Sequence, residues 1–215
     1  MKYDPNRHHR RSTRLSGYDY SQAGAYFVTI LTRHRECLFG SISDTGEQSL
    51  DMLGQLVEMQ WMSIPSHCPF VELDEFIVMP NHLHGIVVIT VSPHTVRANK
   101  PFDTVSINSR QHGGVYSPLH ATDNGLDPDV VCFPKGTKPR SVGAVIQAFK
   151  KAVSRRANGF LNRDGISIWH RNYHDHIIRN EDELNRIREY MTLNPARWAE
   201  DKNNPANLQR APVYA

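Results

Sequence analysis

The sequence predicts an α+β domain in which helices pack on a central antiparallel sheet. Two observations indicate this class. Segments rich in β-branched residues alternate with segments of helical periodicity, and two of the strand segments are joined by the turn dipeptide Pro80-Asn81. The predicted order is strand, helix, strand, strand, helix, strand, helix. That order is typical of ferredoxin-like α+β folds, with the helices expected on one face of the sheet.

The first half of the chain supplies four of these segments. Ala25–Thr32 is rich in β-branched and aromatic residues, which predicts a strand, followed by a short strand and a turn. Apolar residues at three- and four-residue steps predict a helix over Ser49–Ile64, which Pro65 ends. Phe70–Met79 and His82–Thr90 are predicted to be the strands on either side of the turn.

The second half opens with a long irregular insertion at about 91–140, which contains six prolines and is expected to be partly disordered. Helical periodicity resumes at Ser141, and Ile168–Ile178 is predicted to be a strand. Glu181–Leu193 is predicted to be a helix, with Asn180 as its N-cap and a proline after its end. The remainder is expected to be irregular.

Length and composition limit the class of protein. The 215 residues suit one domain, interpreted as a basic arm at 1–24, a single domain at 25–197 that carries the insertion, and a tail at 198–215. The sequence has no run of about 18 apolar residues and no secretory signal, so no contact with a membrane is expected. Cys37, Cys68 and Cys132 lack metal or redox spacing, which predicts reduced thiols and a cytoplasmic location.

The net charge is only +3, but the basic residues form two clusters, one in the arm and one on the predicted helix after the insertion. Such clusters attract polyanions such as nucleic acid, although solvated surfaces have the same composition. Three tyrosines near the arm could stack on unpaired bases, and at least one of them is expected in the core. The candidate DNA-binding cations are Arg10, Arg11, Arg14, Lys150, Lys151, Arg155 and Arg156, and the tyrosines are Tyr18, Tyr20 and Tyr26.

His82 and His84 lie at the start of an otherwise apolar strand. Side chains two residues apart point to the same face of a strand, so the two imidazoles are expected side by side. Each offers a neutral nitrogen to a cation, and a third ligand would have to come from elsewhere in the fold. The alternative is a half-buried pair that is hydrogen-bonded to the backbone.

Tyr190 and Asn194 are four residues apart, so they share one face of the last predicted helix. A core tyrosine and a polar residue at a helix end are the simplest interpretations. Set against the two histidines, however, they suggest a catalytic site in which His82, His84 and Asn194 hold a metal ion. Tyr190 is then the candidate nucleophile for attack on a phosphodiester.

These motifs resemble those of a known family. MPNHLHG, with the block YHDHIIRNEDELNRIREYMTLNP and the opening RRSTRLSGYDYSQAGAYFVTILTRHRECLFG, is similar to REP-associated tyrosine transposases. These belong to the single-tyrosine transposases that carry a His-hydrophobic-His motif. The resemblance covers roughly residues 10–90 and 141–197, and the insertion is longer than expected between the motifs.

The resemblance implies a bacterial, metal-dependent transposase with a ferredoxin-like core. It would nick and rejoin single-stranded DNA at hairpin sequences, with a 5′-phosphotyrosine on Tyr190 and with His82, His84 and Asn194 as ligands. It implies Mg²⁺ or Mn²⁺, although the imidazoles alone would favour Zn²⁺. His176 and Arg179 are expected to line the site or contact DNA, and the protein is expected to be a monomer or a homodimer.

Two other functions remain open. A domesticated relative of such transposases could bind hairpin DNA as a regulator without cutting it. Alternatively, a histidine could be the nucleophile of a nucleotidyl hydrolase or transferase. The next residue on the same strand face is Ile86 rather than a third histidine, which argues against this second alternative.

Overall fold

The computed structural model describes residues 14–90, 136–161 and 167–208. Nearly all of the predicted insertion lies outside the described residues, as do Arg10, Arg11 and the end of the predicted tail. The DNA-binding role of these two arginines therefore stays a prediction.

Six strands and five α-helices form in the described residues. The strands are β1 (Gly24–Leu31), β2 (Gly40–Ile42), β3 (Gln48–Leu50), β4 (Val71–Met79), β5 (His82–Ile89) and β6 (His174–Ile178). The helices are α1 (Met52–Met62), α2 (Ile64–His67), α3 (Val142–Leu161), α4 (Glu181–Leu193) and α5 (Pro205–Leu208), with 3₁₀ segments at Arg33–Arg35 and Pro195–Glu200. Each helix in these parts of the chain is too short or too polar to cross a bilayer.

Four strands form one antiparallel sheet in the order β4-β5-β1-β6, and β2 pairs with β3 as a separate hairpin. Apart from this hairpin, the main elements run strand, helices, strand, strand, helix, strand. This is the β-α-β-β-α-β order of ferredoxin-like folds. The predicted α+β class, with helices packed on a central antiparallel sheet, is confirmed.

The sheet is covered on both faces, and the expectation of helices on one face was wrong. Tyr26 and Val28 of β1 are buried in a large core cluster with residues of α1 and α3. Ala25, on the other face of β1, belongs to a second cluster with Leu184 and Met191 of α4. Both faces of the sheet are covered because β5 has apolar residues on both of its faces, and helices must pack on each side to bury them.

The starts of α1 and β6 lie three or more residues from the predicted positions. α1 begins three residues later than predicted because Asp51 caps it, accepting hydrogen bonds from the backbone N–H groups of Leu53 and Gly54. β6 begins only at His174, and before it Trp169 makes a single bridge to Thr32. The segment after α4, predicted to be irregular, forms a 3₁₀ segment and α5 instead.

The cysteines also differ from the expectation. Cys68 is buried in the core and disulfide-bonded, so the prediction of a reduced thiol was wrong for this residue. The interpretation failed because the pairing of cysteines cannot be deduced from sequence spacing. Cys37 is free and exposed.

An ion pair fixes α4 to β4. Arg188 donates from Nε and Nη2 to the two carboxylate oxygens of Asp74, at 2.8 and 2.6 Å. Burial alone would raise the pKa of Asp74, but the hydrogen bonds from Arg188 and from the backbone N–H of Glu75 outweigh it and lower the pKa below the ordinary 3.8. A carboxylate whose pKa is lowered by folding stabilises the fold above its unfolded pKa, and this contribution is lost as the pH falls through the folded value.

We therefore expect Asp74→Asn to lower the free energy of unfolding by about 1–3 kcal/mol near neutral pH. The difference from wild type should shrink as the pH falls below 3.8, and it should vanish once the pH has passed the lowered folded pKa and the wild-type carboxyl is neutral as well. Urea unfolding at a series of pH values measures this, with the exposed Glu72→Gln as control. An Asp74→Asn deficit that is the same at all pH values would contradict the prediction.

Candidate metal and tyrosine site

The turn between β4 and β5 sets the position of the two histidines. His82 is the first residue of β5 and pairs with Leu31, and His84 pairs with Thr29 of β1. Both side chains lie on the α4 face of the sheet, in line with Ile86, which belongs to the α4 cluster. The expected same-face arrangement is therefore present.

The two imidazoles face one another through their Nε2 atoms, which lie 3.0 Å apart. His82 is 0% exposed and His84 is 3% exposed. The other ring nitrogens have partners of their own: His82 Nδ1 lies 2.8 Å from Asn81 Oδ1, and His84 Nδ1 lies 2.9 Å from Thr29 Oγ1. Such partners for the second nitrogen orient histidines that bind metal ions.

The hydrogen bond between His82 and Asn81 determines which ring nitrogen of His82 carries the proton. Asn81 Nδ2 donates to the backbone carbonyls of Arg35 and Asn203, which leaves Asn81 Oδ1 as an acceptor. His82 Nδ1 must then carry the proton of that hydrogen bond. Burial, with a smaller effect from Lys202, lowers the pKa of His82 to about 3, so the ring is neutral and Nε2 holds a lone pair. Burial also lowers the pKa of His84 well below its ordinary value.

Helix α4 brings the tyrosine to this pair. The hydroxyl of Tyr190 lies 3.4 Å from His84 Nε2, and its ring packs edge-on against His84 and Phe27. The residue is 41% exposed, so the hydroxyl lies at the edge of the buried pair. Burial raises the pKa of Tyr190, and a hydrogen bond from Asn194 opposes this shift.

Asn194 ends α4 one turn beyond the tyrosine. It is 4% exposed, and its Oδ1 is buried with no hydrogen-bond partner. A buried acceptor without a partner is costly, and a cation is one group that could satisfy it. The structure therefore brings Tyr190, His84 and His82 together and places Asn194 beside the tyrosine.

Asp201, which the sequence analysis missed, also lies at the site. Its Oδ2 is 3.8 Å from His82 Nε2. In the described residues, one group of three histidine, cysteine or acidic side chains could hold a metal ion, namely His82, His84 and Asp201, with ligand atoms within 4.8 Å of one another. Two imidazole nitrogens, a carboxylate oxygen and an amide oxygen without a partner fit a divalent cation.

The predicted DNA-binding residues fall into two groups. Lys151, Arg155 and Arg156 are exposed on α3, as predicted. Lys150 instead donates from Nζ to the backbone carbonyls of His170, Arg171 and Asn172, at 2.6, 3.3 and 3.4 Å. The DNA-contacting role of all four stays a prediction.

Arg14 and His176 are held by acidic side chains. Arg14 Nε lies 3.3 Å from Oδ1 of the buried Asp175, and its guanidinium stacks over Tyr173. His176 Nε2 lies 2.7 Å from Oε1 of Glu183, the residue whose Oε2 accepts from the backbone N–H of Arg179. His176 pairs with Phe27 in the sheet, so it lies on the strand next to the site.

Of the three tyrosines considered for base stacking, Tyr26 is fully buried and is a core residue. Its hydroxyl donates to the backbone carbonyl of Gln22. Tyr18 and Tyr20 are partly buried and pack against it edge-on and tilted, respectively. Stacking on DNA stays a prediction for these two.

Known proteins with similar sequence and fold exist. An uncharacterized protein of Haemophilus influenzae is 35% identical over 201 residues, which cover 94% of this chain and 96% of that protein. The chain belongs to the same family as this protein. No protein-family model matches the chain.

Two solved structures also resemble it. A REP-associated tyrosine transposase bound to a REP hairpin aligns with a TM-score of 0.48 and 17% identity, over 87% of this chain and 77% of that chain. A candidate transposase from Deinococcus radiodurans R1 aligns with a TM-score of 0.40 and 15% identity, over 83% of this chain and 95% of that chain.

Proposed function

We propose that the protein is a metal-dependent transposase that nicks and rejoins single-stranded DNA at hairpin sequences. One observation carries the proposal: the Tyr190 hydroxyl lies 3.4 Å from His84 Nε2, which lies 3.0 Å from His82 Nε2. Tyr190 and His84 are 106 residues apart, so no local constraint requires them to meet. A partly exposed phenol beside two buried, neutral imidazoles suits metal-assisted attack on a phosphodiester.

His82, His84 and Asn194 are the proposed ligands of a divalent cation, Mg²⁺ or Mn²⁺. When bound, this cation would neutralise charge on the phosphate oxygens and lower the cost of forming a phenolate. The protein prepares both histidines for this role, because burial keeps them neutral and their Nδ1 partners fix the rings.

Tyr190 is the proposed nucleophile. Its oxygen attacks the phosphorus of a DNA phosphodiester, and the phenolic proton leaves to solvent, which reaches the exposed edge of the ring. The bond between phosphorus and the 3′ oxygen breaks, and that oxygen takes up a proton to give a free 3′ hydroxyl. The 5′ phosphate remains on Tyr190. Attack by a different 3′ hydroxyl reverses the step and joins new ends without a nucleotide cofactor.

Binding of the DNA strand is assigned to exposed cations on α3 and at the start of α4. Lys151, Arg155 and Arg156 lie on the solvent side of α3, and the side chain of Arg179 is exposed before α4. Phosphate contacts of this type release counterions, so binding should weaken as salt rises. The hairpin as substrate follows from the motif resemblance described above.

The test is formation of a covalent adduct by the full chain. Hairpin oligonucleotides with single-stranded flanks of mixed sequence, labelled at the 3′ end, are incubated with Mn²⁺ or with EDTA and separated on a denaturing protein gel. We expect a labelled protein band with Mn²⁺ alone, and mass spectrometry should find the nucleotide on the peptide that contains Tyr190.

Other results would favour the alternatives. Tight hairpin binding with no adduct in any divalent metal would indicate a regulator that does not cut. An acid-labile phosphate on His82 or His84 would indicate a histidine nucleophile. The same-face position after these histidines is the buried Ile86, which offers no third imidazole for such an enzyme.

A further inference from the structure

We infer that Asp201 is a further ligand of the cation, so that the segment after α4 completes the metal site. The inference rests on the proposed function for the presence of a cation between His82 and His84. Asp201 lies directly after the 3₁₀ segment Pro195–Glu200, and only 7% of its side chain is exposed. A carboxylate this well buried needs partners for both of its oxygens.

The contact between Asp201 and His82 is not an ordinary hydrogen bond. Asp201 Oδ2 lies 3.8 Å from His82 Nε2, which is beyond hydrogen-bond distance. Because the proton of His82 is on Nδ1, facing Asn81, its Nε2 carries no proton on the side where both His84 Nε2 and Asp201 Oδ2 lie. A cation on this side of the ring would therefore meet the carboxylate oxygen as well as the two imidazole nitrogens.

A second acceptor points to the same conclusion. Asn194 Oδ1 is buried and has no partner, and Asn194 lies at the end of the helix from which the Asp201 segment continues. The segment thus supplies two oxygen acceptors, while β5 supplies two imidazole nitrogens. The site then has two nitrogen and two oxygen ligands, and the Asp201 oxygen is negatively charged. Mg²⁺ and Mn²⁺ prefer oxygen ligands, so the two oxygens shift the metal preference of the site from Zn²⁺ toward these ions.

Asn81 ties the Asp201 segment to the histidines. This fully buried amide accepts from His82 Nδ1 and donates to the carbonyl of Asn203 at 2.7 Å, a residue 122 positions away in the sequence. Asn203 in turn donates its backbone N–H to Asp201 Oδ1. Oδ1 is thereby engaged with the backbone, and Oδ2 is left on the side of His82.

Titration of the metal alone into the full chain tests the inference. Isothermal titration calorimetry with Mn²⁺, in the absence of DNA, is compared for wild type, Asp201→Asn, Asp201→Glu and His84→Ala. Glu200→Gln is the matched control, because it removes one exposed negative charge from the neighbouring position. The ring of Trp198 lies 6.1 Å from that of His82, so quenching of its fluorescence by Mn²⁺ gives a second readout.

We expect Asp201→Asn to weaken Mn²⁺ binding by at least about tenfold, Asp201→Glu to recover part of the loss, and Glu200→Gln to match wild type. Melting curves establish that each variant is folded. If Asp201→Asn binds Mn²⁺ like wild type while His84→Ala does not, the inference about Asp201 is wrong and the proposed function stands. If folded wild type binds neither Mn²⁺ nor Mg²⁺, the proposed function fails together with it.

Discussion

Tyr190→Phe is expected to abolish the covalent adduct and to lower DNA cleavage by at least about a thousandfold. The substitution removes the proposed nucleophilic oxygen and keeps the ring that packs edge-on against His84 and Phe27. The lost hydroxyl makes a long contact of 3.4 Å to His84 and accepts a hydrogen bond from Asn194, so the free energy of unfolding should fall by about 1 kcal/mol. Binding of Mn²⁺ should be unchanged, because the phenol is not a proposed ligand.

Tyr173→Phe is the matched control for this experiment. It also removes one phenolic oxygen, here a buried one, but Tyr173 packs against the larger core cluster, on the opposite face of the sheet from α4. Its cleavage rate should equal that of wild type when both are measured under single-turnover conditions with excess protein. An adduct of undiminished yield in Tyr190→Phe would exclude this tyrosine as the nucleophile, and mass spectrometry of that adduct would identify the residue that acts instead.

The parts of the site that could be predicted are those that local chemistry determines. The bounds of α4 agree with the prediction because the signals at its ends are local: Asn180 Oδ1 accepts from the backbone N–H of Glu183, and a proline follows Asn194. The shared face of His82 and His84 follows equally directly from the two-residue period of a strand. Helical spacing likewise placed Tyr190 and Asn194 on one side of α4.

The parts that could not be predicted depend on contacts across the fold. Asp201 has no sequence spacing that links it to His82, and the amide that joins their segments, Asn81, looks in the sequence like a turn residue. Lys150 shows the same limit. Its charge does not reveal that its Nζ donates to three backbone carbonyls, or that burial lowers its pKa to about 8. Composition reveals a charge but not the group that it will meet.

A second large effect, on the stability of the fold, is expected from a substitution at Gly85, the residue after the histidine motif. A Cβ at this position would lie 2.4 Å from Cζ2 of Trp61 and 3.2 Å from Cβ of Phe76. The indole cannot easily retreat, because Trp61 is fully buried and packs edge-on against Phe149 with ring centroids 5.2 Å apart. The absence of a side chain at Gly85 is what lets α1 lie close to β5.

We expect Gly85→Ala to lower the free energy of unfolding by about 3 kcal/mol, as overpacking of a dense core does. Trp61→Leu alone should cost about 2–4 kcal/mol through the cavity that it leaves. Because the smaller side chain removes the clash, the double variant should lose about 1–3 kcal/mol less than the sum of the two single losses. Gly159→Ala on α3 is the control, since no atom lies within 4 Å of its added Cβ, and it should be neutral or stabilising. Urea unfolding of the four variants measures these differences, and strictly additive losses would show that Gly85 and Trp61 do not compete for the same space.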